Sequence, residues 1–143
     1  MAGPSRLVVA SDEPDACEVL ARVLALDGHE VDTVADQDDV PGTVRDSGAA
    51  GVVLDLAVGG FGANLQALEQ LRAQGNTAGR AARVVLIGAL QSQALFAWQR
   101  GIDGFLLRPF HERELRAAMA EALDRSEDDR QAFRIEMEHR LLG

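Results

Sequence analysis

Three short stretches hold the side chains of this 143-residue chain that could do chemistry: Ser11-Asp12-Glu13, the carboxylate of Asp55 at the end of GVVLD, and Arg108-Pro109. Each follows directly on a run rich in branched apolar residues. Taking a carboxylate out of water without a partner is expensive. Asp55 therefore sits where its strand reaches solvent, or it has a partner. It reads either as a nucleophile or metal ligand, or as a structural carboxylate. Asp12 divides the same way, because an aspartate just after a strand is also a favoured cap for the helix that follows.

Other candidates carry less. GGFGAN, residues 59–64, follows a strand and opens a helix, but it lacks the full glycine spacing of a dinucleotide loop and is read as glycines looping over the site, Gly59 among them. His29, His111 and His139 share no spacing that would gather a metal ion. Cys17 falls in an apolar helical pattern and is read as a small packed side chain.

The elements that must position these residues are legible as alternating patterns. RLVVA (6–10), EVDTV (30–34), GVVLD (51–55), RVVLIG (83–88) and GFLL (104–107) read as strands, and four of them are nearly continuous in apolar residues. That is the pattern of parallel strands covered on both faces. Helical periods occupy 14–27, 38–47, 64–74, 91–100 and 111–125. The first sets Ala16, Val19, Leu20, Val23 and Leu24 on one face between Pro14 and Gly28. Five such units imply an α/β fold, a doubly wound five-stranded parallel sheet with right-handed crossovers. Sheets of this kind bind ligands beyond the carboxyl ends of their strands. Ser11, Asp12 and Glu13 follow the first strand, Asp55 ends the third, Gly88 and Ala89 close the fourth, and Arg108 and Pro109 follow the fifth. Two of these carboxylates, Asp12 and Asp55, and one guanidinium, Arg108, thus share one rim.

In order and spacing, residues 6–125 resemble the receiver domain of two-component response regulators. RLVVASDEPDACEVLARVLALDGHEV resembles the opening strand, acidic pair and first helix; VVLDL, the phosphoacceptor strand; GIDGFLLRPFHERELRAAM, the last strand and helix. The resemblance implies a flavodoxin-like strand order 2-1-3-4-5, carried over with the family. It makes Asp55 the phosphoacceptor, attacking a phosphohistidine of a histidine kinase or phosphotransfer protein. It also implies Mg²⁺ held by Asp12, Asp55 and the carbonyl of Ala57, since a carboxylate attacking an anionic phosphoryl group needs positive charge on the oxygens. Pro109 becomes a candidate for a cis peptide bond.

Several positions depart from the family pattern. The first acid is Ser11, the hydroxyl residue ending the fourth strand is Gly88 with Ala89 after it, the lysine is Arg108, and the switch aromatic is Phe105, which has no hydroxyl. Two carboxylates facing one cation, in place of three, lower the expected affinity for Mg²⁺. Arg108 is expected to grip Asp55 through both ends of its planar fork, or else to hold a phosphoryl oxygen. Two functions follow from the resemblance. One is an atypical single-domain bacterial response regulator that accepts a phosphoryl group on Asp55 and signals to a downstream protein by contact. The other is a pseudo-receiver that is not phosphorylated and docks partners constitutively. No independent enzyme activity is expected; at most the first would accept a phosphoryl group by self-catalysed transfer.

Composition narrows the partners. The formal charge is −9, which argues against a nucleic-acid or anionic-membrane surface. All 14 basic residues are arginine. No apolar run approaches the ~20 residues of a membrane span, and MAGPSRLVVA lacks the features of a signal peptide. The expected location is the cytoplasm. The expected organisation is a receiver domain, 1–125, and a helical extension, 126–143. In the extension Phe133, Met137 and Leu141 form an apolar stripe flanked by Ile135 and Leu142, while EDDR reads as a solvated first turn after a Ser126 cap. An isolated helix of this length is marginal in water and must bury its stripe. With the charged RSEDDR spacer before it, the expected partner for the stripe is a second copy, giving a homodimer through 127–142. Trp98 and Leu95 are expected to pack in the core.

Overall fold

Every run of Val and Leu named above becomes a strand in the computed structural model, which describes residues 3–58, 60–74 and 81–143. The order along the chain is β1 (Arg6–Ser11), α1 (Pro14–Ala25), β2 (Glu30–Val34), a 3-10 turn (Gln37–Asp39), α2 (Val40–Ser47), β3 (Gly51–Asp55) and α3 (Gly60–Arg72). It continues with β4 (Arg83–Gly88), α4 (Gln93–Gln99), β5 (Gly104–Leu107), α5 (Glu112–Asp124) and α6 (Glu127–Leu142). The strands form one parallel sheet in the order β2-β1-β3-β4-β5. Ser11 lies in register with Asp55, so the two residues leave the sheet side by side.

Alternation along the buried strands splits the core into two layers. Leu7, Val9, Val53, Val85 and Ile87 cluster with Leu20 and Leu24 of α1 and Leu115 and Met119 of α5. Val8, Ala10, Val52, Leu54, Val84 and Leu86 cluster with Val44, Leu68, Leu71 and Trp98 from α2, α3 and α4. β2 is the edge strand next to β1, which is why EVDTV alone lacks a continuous apolar run.

Helix boundaries shift from the sequence reading by up to four residues. α3 starts at Gly60, four residues before the expected Asn64, because Phe61 and Ala63 already pack, and Gly60 and Gly62 belong to the helix. Gly59 lies outside the described residues. The region from 38 splits into the 3-10 turn, where the Asp36 side chain accepts from the Asp38 amide, followed by α2, which ends on the left-handed Gly48.

The extension's stripe meets a surface other than the expected second copy. α6 folds back onto its own domain, and Phe133, Met137 and Leu141 pack against the layer that contains Trp98. The Phe133 and Trp98 rings meet edge to face at 5.5 Å, and the Arg125 guanidinium lies 3.7 Å over the other ring of that contact, Phe133. The stripe is thus half-buried against its own chain, and Trp98 is only 3% exposed. The spacer that argued against folding back is what fastens the helix down. Ser126 does cap α6, accepting from the Asp129 amide, but Arg130 is 2% exposed and no part of a solvated turn. Its Nε and Nη2 donate to Asp103 at 2.7 and 3.1 Å. Arg72 and Arg134 donate to the same carboxylate at 3.0 and 3.1 Å, and the Val84 amide at 2.9 Å. Burial pushes the Asp103 carboxyl up, but the Arg130 hydrogen bonds and the charges of Arg134, Arg130 and Arg72 outweigh it and hold it below the ordinary range.

Candidate functional site

The site is built where β1, β3, β4 and β5 end. Asp55, the last residue of β3, is 4% exposed, and its partner is Arg108, which follows β5. Arg108 Nη2 donates to Asp55 Oδ2 at 2.5 Å. One nitrogen meets one oxygen, so the two-pronged grip expected from the sequence is not what forms. The guanidinium is shared with Phe110, lying 5.7 Å from that ring's centroid, and the Arg108 side chain keeps 45% of its exposure. The Arg108–Pro109 peptide bond is cis, and the Arg108 amide donates to the Gly88 carbonyl, tying the ends of β4 and β5 together. Burial pushes the Asp55 carboxyl above its usual value; Arg108 opposes this, while Glu13 and Asp12 add to the rise.

Asp12 faces the loop after β3. Its Oδ1 accepts from the Ala57 and Val58 amides at 2.9 and 3.1 Å, and its Oδ2 from Val58 at 2.9 Å. The Ala57 carbonyl, the third expected metal ligand, accepts from the Gly60 amide. The three groups expected to hold Mg²⁺ are therefore each directed at a partner within the chain. This donor set does not fit the ion: Asp55 is bound to a cation already, and Ser11 adds no charge, its hydroxyl lying 3.4 Å from both the carbonyl and the amide of Glu13. Among the described residues no group of three or more His, Cys, Asp or Glu side chains is placed to hold a metal ion.

Gly88 is a steric statement as much as a missing hydroxyl. A Cβ there would lie 2.5 Å from Cζ of Phe105 and 2.9 Å from Oε1 of Gln93. The Phe105 ring, packed against the core, takes the space that a side chain at 88 would need. Beside Gly88 the Gln93 Oε1 accepts from the Ala89 and Leu90 amides at 2.9 and 3.1 Å, and across the cleft Asn64 Oδ1 accepts from the Leu56 amide at 2.8 Å. Neither Gln93 nor Asn64 stands out in the sequence. The available signal is general: loop amides leaving a sheet need acceptors, and polar side chains opening the next helix are the nearest supply. Between these groups and Asp55 lies a cleft of about 170 Å³. His111 contributes at the edge as the N-cap of α5, in a capping box with Glu114. Cys17 is buried, and burial pushes its thiol up.

A doubly wound parallel sheet of order 2-1-3-4-5, with an aspartate ending the central strand and a cation on a cis-proline loop facing it, defines the class of CheY-like signalling domains. The response regulator receiver domain family matches residues 7–120, and the chain belongs to it. Phosphorylation and magnesium binding are typical of that family. Among curated proteins it is similar to the transcriptional regulatory protein TcrA of Mycobacterium tuberculosis, 34% identical over 118 residues, which cover 80% of this chain and 44% of the relative. The chain thus spans less than half the length of that relative. The receiver domain of NtrX from Brucella abortus superimposes with a TM-score of 0.72 at 26% identity, covering 84% of this chain and 99% of that one. The receiver domain of the sensor histidine kinase PA1611 from Pseudomonas aeruginosa, solved with a magnesium ion in its active-site cleft, gives 0.71 at 24% identity, covering 87% of this chain and 100% of that one.

Proposed function

We propose that this chain is a pseudo-receiver: a protein-docking module of two-component signalling, acting in the cytoplasm, whose conformation is set by its own side chains and not by phosphorylation of Asp55. The observation that carries this reading is the Arg108–Asp55 ion pair, formed on a rim whose other carboxylate, Asp12, is bound to the Ala57 and Val58 amides. Attack by a carboxylate on an anionic phosphoryl group needs its charge offset. Here Arg108, the one cation lining the cleft among the described residues, is already paired with the would-be nucleophile. Gly88 also offers no hydroxyl for a phosphoryl group to pull on, and a ligand shifts an equilibrium only through contacts that differ between the two states.

The surface best suited to a partner is the apolar groove of about 400 Å³ between α1 and α5, lined by Ala16, Val19, Leu20, Val23 and Phe110 with Asp15 and Glu112 at its edges. It suits a protein presenting apolar side chains flanked by basic ones, whether a kinase, a phosphotransfer protein or a downstream target. The charge of −9 does not suit nucleic acid. No described helix is long and apolar enough to cross a membrane.

The cleft beside Asp55 favours the second reading, in which Asp55 is a working phosphoacceptor and Arg108 turns to hold the phosphoryl oxygens. Incubation with Mg²⁺ and a small phosphodonor, followed by intact mass, separates the two. The expected result is no gain of a phosphoryl group. A gain that disappears in Asp55→Asn overturns the docking reading.

A further inference from the structure

The connection from β4 to α4 leaves the sheet beside Asp55 and opens with the exposed residues Ala89 and Leu90. Both of their amides converge on a single oxygen, Oε1 of Gln93, at 2.9 and 3.1 Å. The return bond runs the other way, from the Gln93 amide to the Leu90 carbonyl at 3.0 Å. Gln93 is the first residue of α4, yet its side chain turns back toward the sheet, close enough that a Cβ at Gly88 would meet Oε1 at 2.9 Å. Successive backbone amides aimed at one point are the geometry with which loops hold an oxygen of a bound anion. Here that oxygen belongs to the chain itself. The opposite side of the cleft is arranged alike, with Asp12 taking the Ala57 and Val58 amides and Asn64 the Leu56 amide.

We propose that Gln93 is an internal ligand of the β4–α4 loop. Its carboxamide oxygen stands in for a bound anion and keeps the loop, the exposed Leu90 and the start of α4 seated whether or not anything occupies the cleft beside Asp55. Gln93 is a positioning residue, and the glycine at 88 leaves it room to fold back. The inference deepens the docking reading, in which the conformation is set from within, and it rests on that reading.

Backbone amide exchange measured by NMR on the full chain tests it, without phosphodonor, so that the result is independent of whether Asp55 can be phosphorylated. Gln93→Leu keeps the bulk and removes the acceptor; Gln93→Glu keeps an acceptor of the same reach. Losing the bonds is expected to speed exchange at Ala89 and Leu90 by about tenfold or more in Gln93→Leu, while Gln93→Glu stays near wild type. Ala57 and Val58, held by Asp12, should be unchanged in both. Gln93→Asn, one methylene shorter, should behave like the leucine variant and serves if that variant folds poorly. Equal exchange at Ala89 and Leu90 in wild type, Gln93→Leu and Gln93→Asn overturns the proposal, as does equal acceleration in Gln93→Glu.

Discussion

Asp55 is kept at a cost, and that cost can be measured. Its carboxyl is raised by burial more than Arg108 lowers it, so the charged form is less favourable in the folded chain than in the unfolded one. A carboxylate with a raised folded value penalises stability above that value, and the penalty fades as the pH falls toward the unfolded value of about 3.9. Asp55→Asn is therefore expected to stabilise the protein near neutral pH by about 1 kcal/mol. Urea denaturation of both proteins at several pH values should show the gain shrinking toward acid. Gly88 makes the opposite kind of prediction. Gly88→Ala sets a methyl 2.5 Å from Phe105 Cζ and should cost about 1–3 kcal/mol, the usual range for overpacking. Adding Phe105→Leu should recover part of the loss, and a double-mutant cycle measures the coupling. Position 88 was legible in the sequence only as a missing hydroxyl. That its emptiness is filled by Phe105 and Gln93 depends on contacts between β4, β5 and α4, which no local pattern encodes.

At the scale of elements, the five strands and six helices of the described residues could be read from periodicity, because burial on two faces and on one face leaves different repeats. What could not be read was where α6 goes. Its stripe announced a partner surface without saying whose. The deciding residue, Arg130, sits in a run of charges that looks solvated, and its acceptor, Asp103, lies 27 residues earlier. The argument applied to Asp55, that an acid beside an apolar strand needs a partner, applies equally to the acid of GIDGFLL, and would have pointed to Asp103. Removing one side of a buried pair strands the other, typically at 3–5 kcal/mol. Asp103→Ala should cost about that much, since it leaves three arginines without their carboxylate. Arg130→Met should cost less, because Arg72, Arg134 and the Val84 amide still hold Asp103. Because the Asp103 carboxyl lies below its ordinary value, its contribution is present above the unfolded value and is lost as the pH falls through the folded one. Denaturation midpoints in mildly acid and strongly acid buffer should converge for wild type and Asp103→Ala.

Taken as a whole molecule, the chain closes on itself. Phe133, Met137 and Leu141 are spent on the domain's own surface, so the expected state at tens of micromolar is a monomer by light scattering. Deleting residues 127–143 should lower stability and induce self-association by uncovering the α4 side of the core. A stable monomeric truncation would contradict the packing role given to α6. Trp98 is the sole tryptophan of a chain with no tyrosine, and its ring is in edge contact with Phe133. The protein thus carries its own optical gauge: ultraviolet emission is expected to be blue-shifted while α6 is seated and to move to the red when a partner, a mutation or acid lifts the helix away. A question about docking on this face can be asked with a fluorimeter and an unlabelled chain.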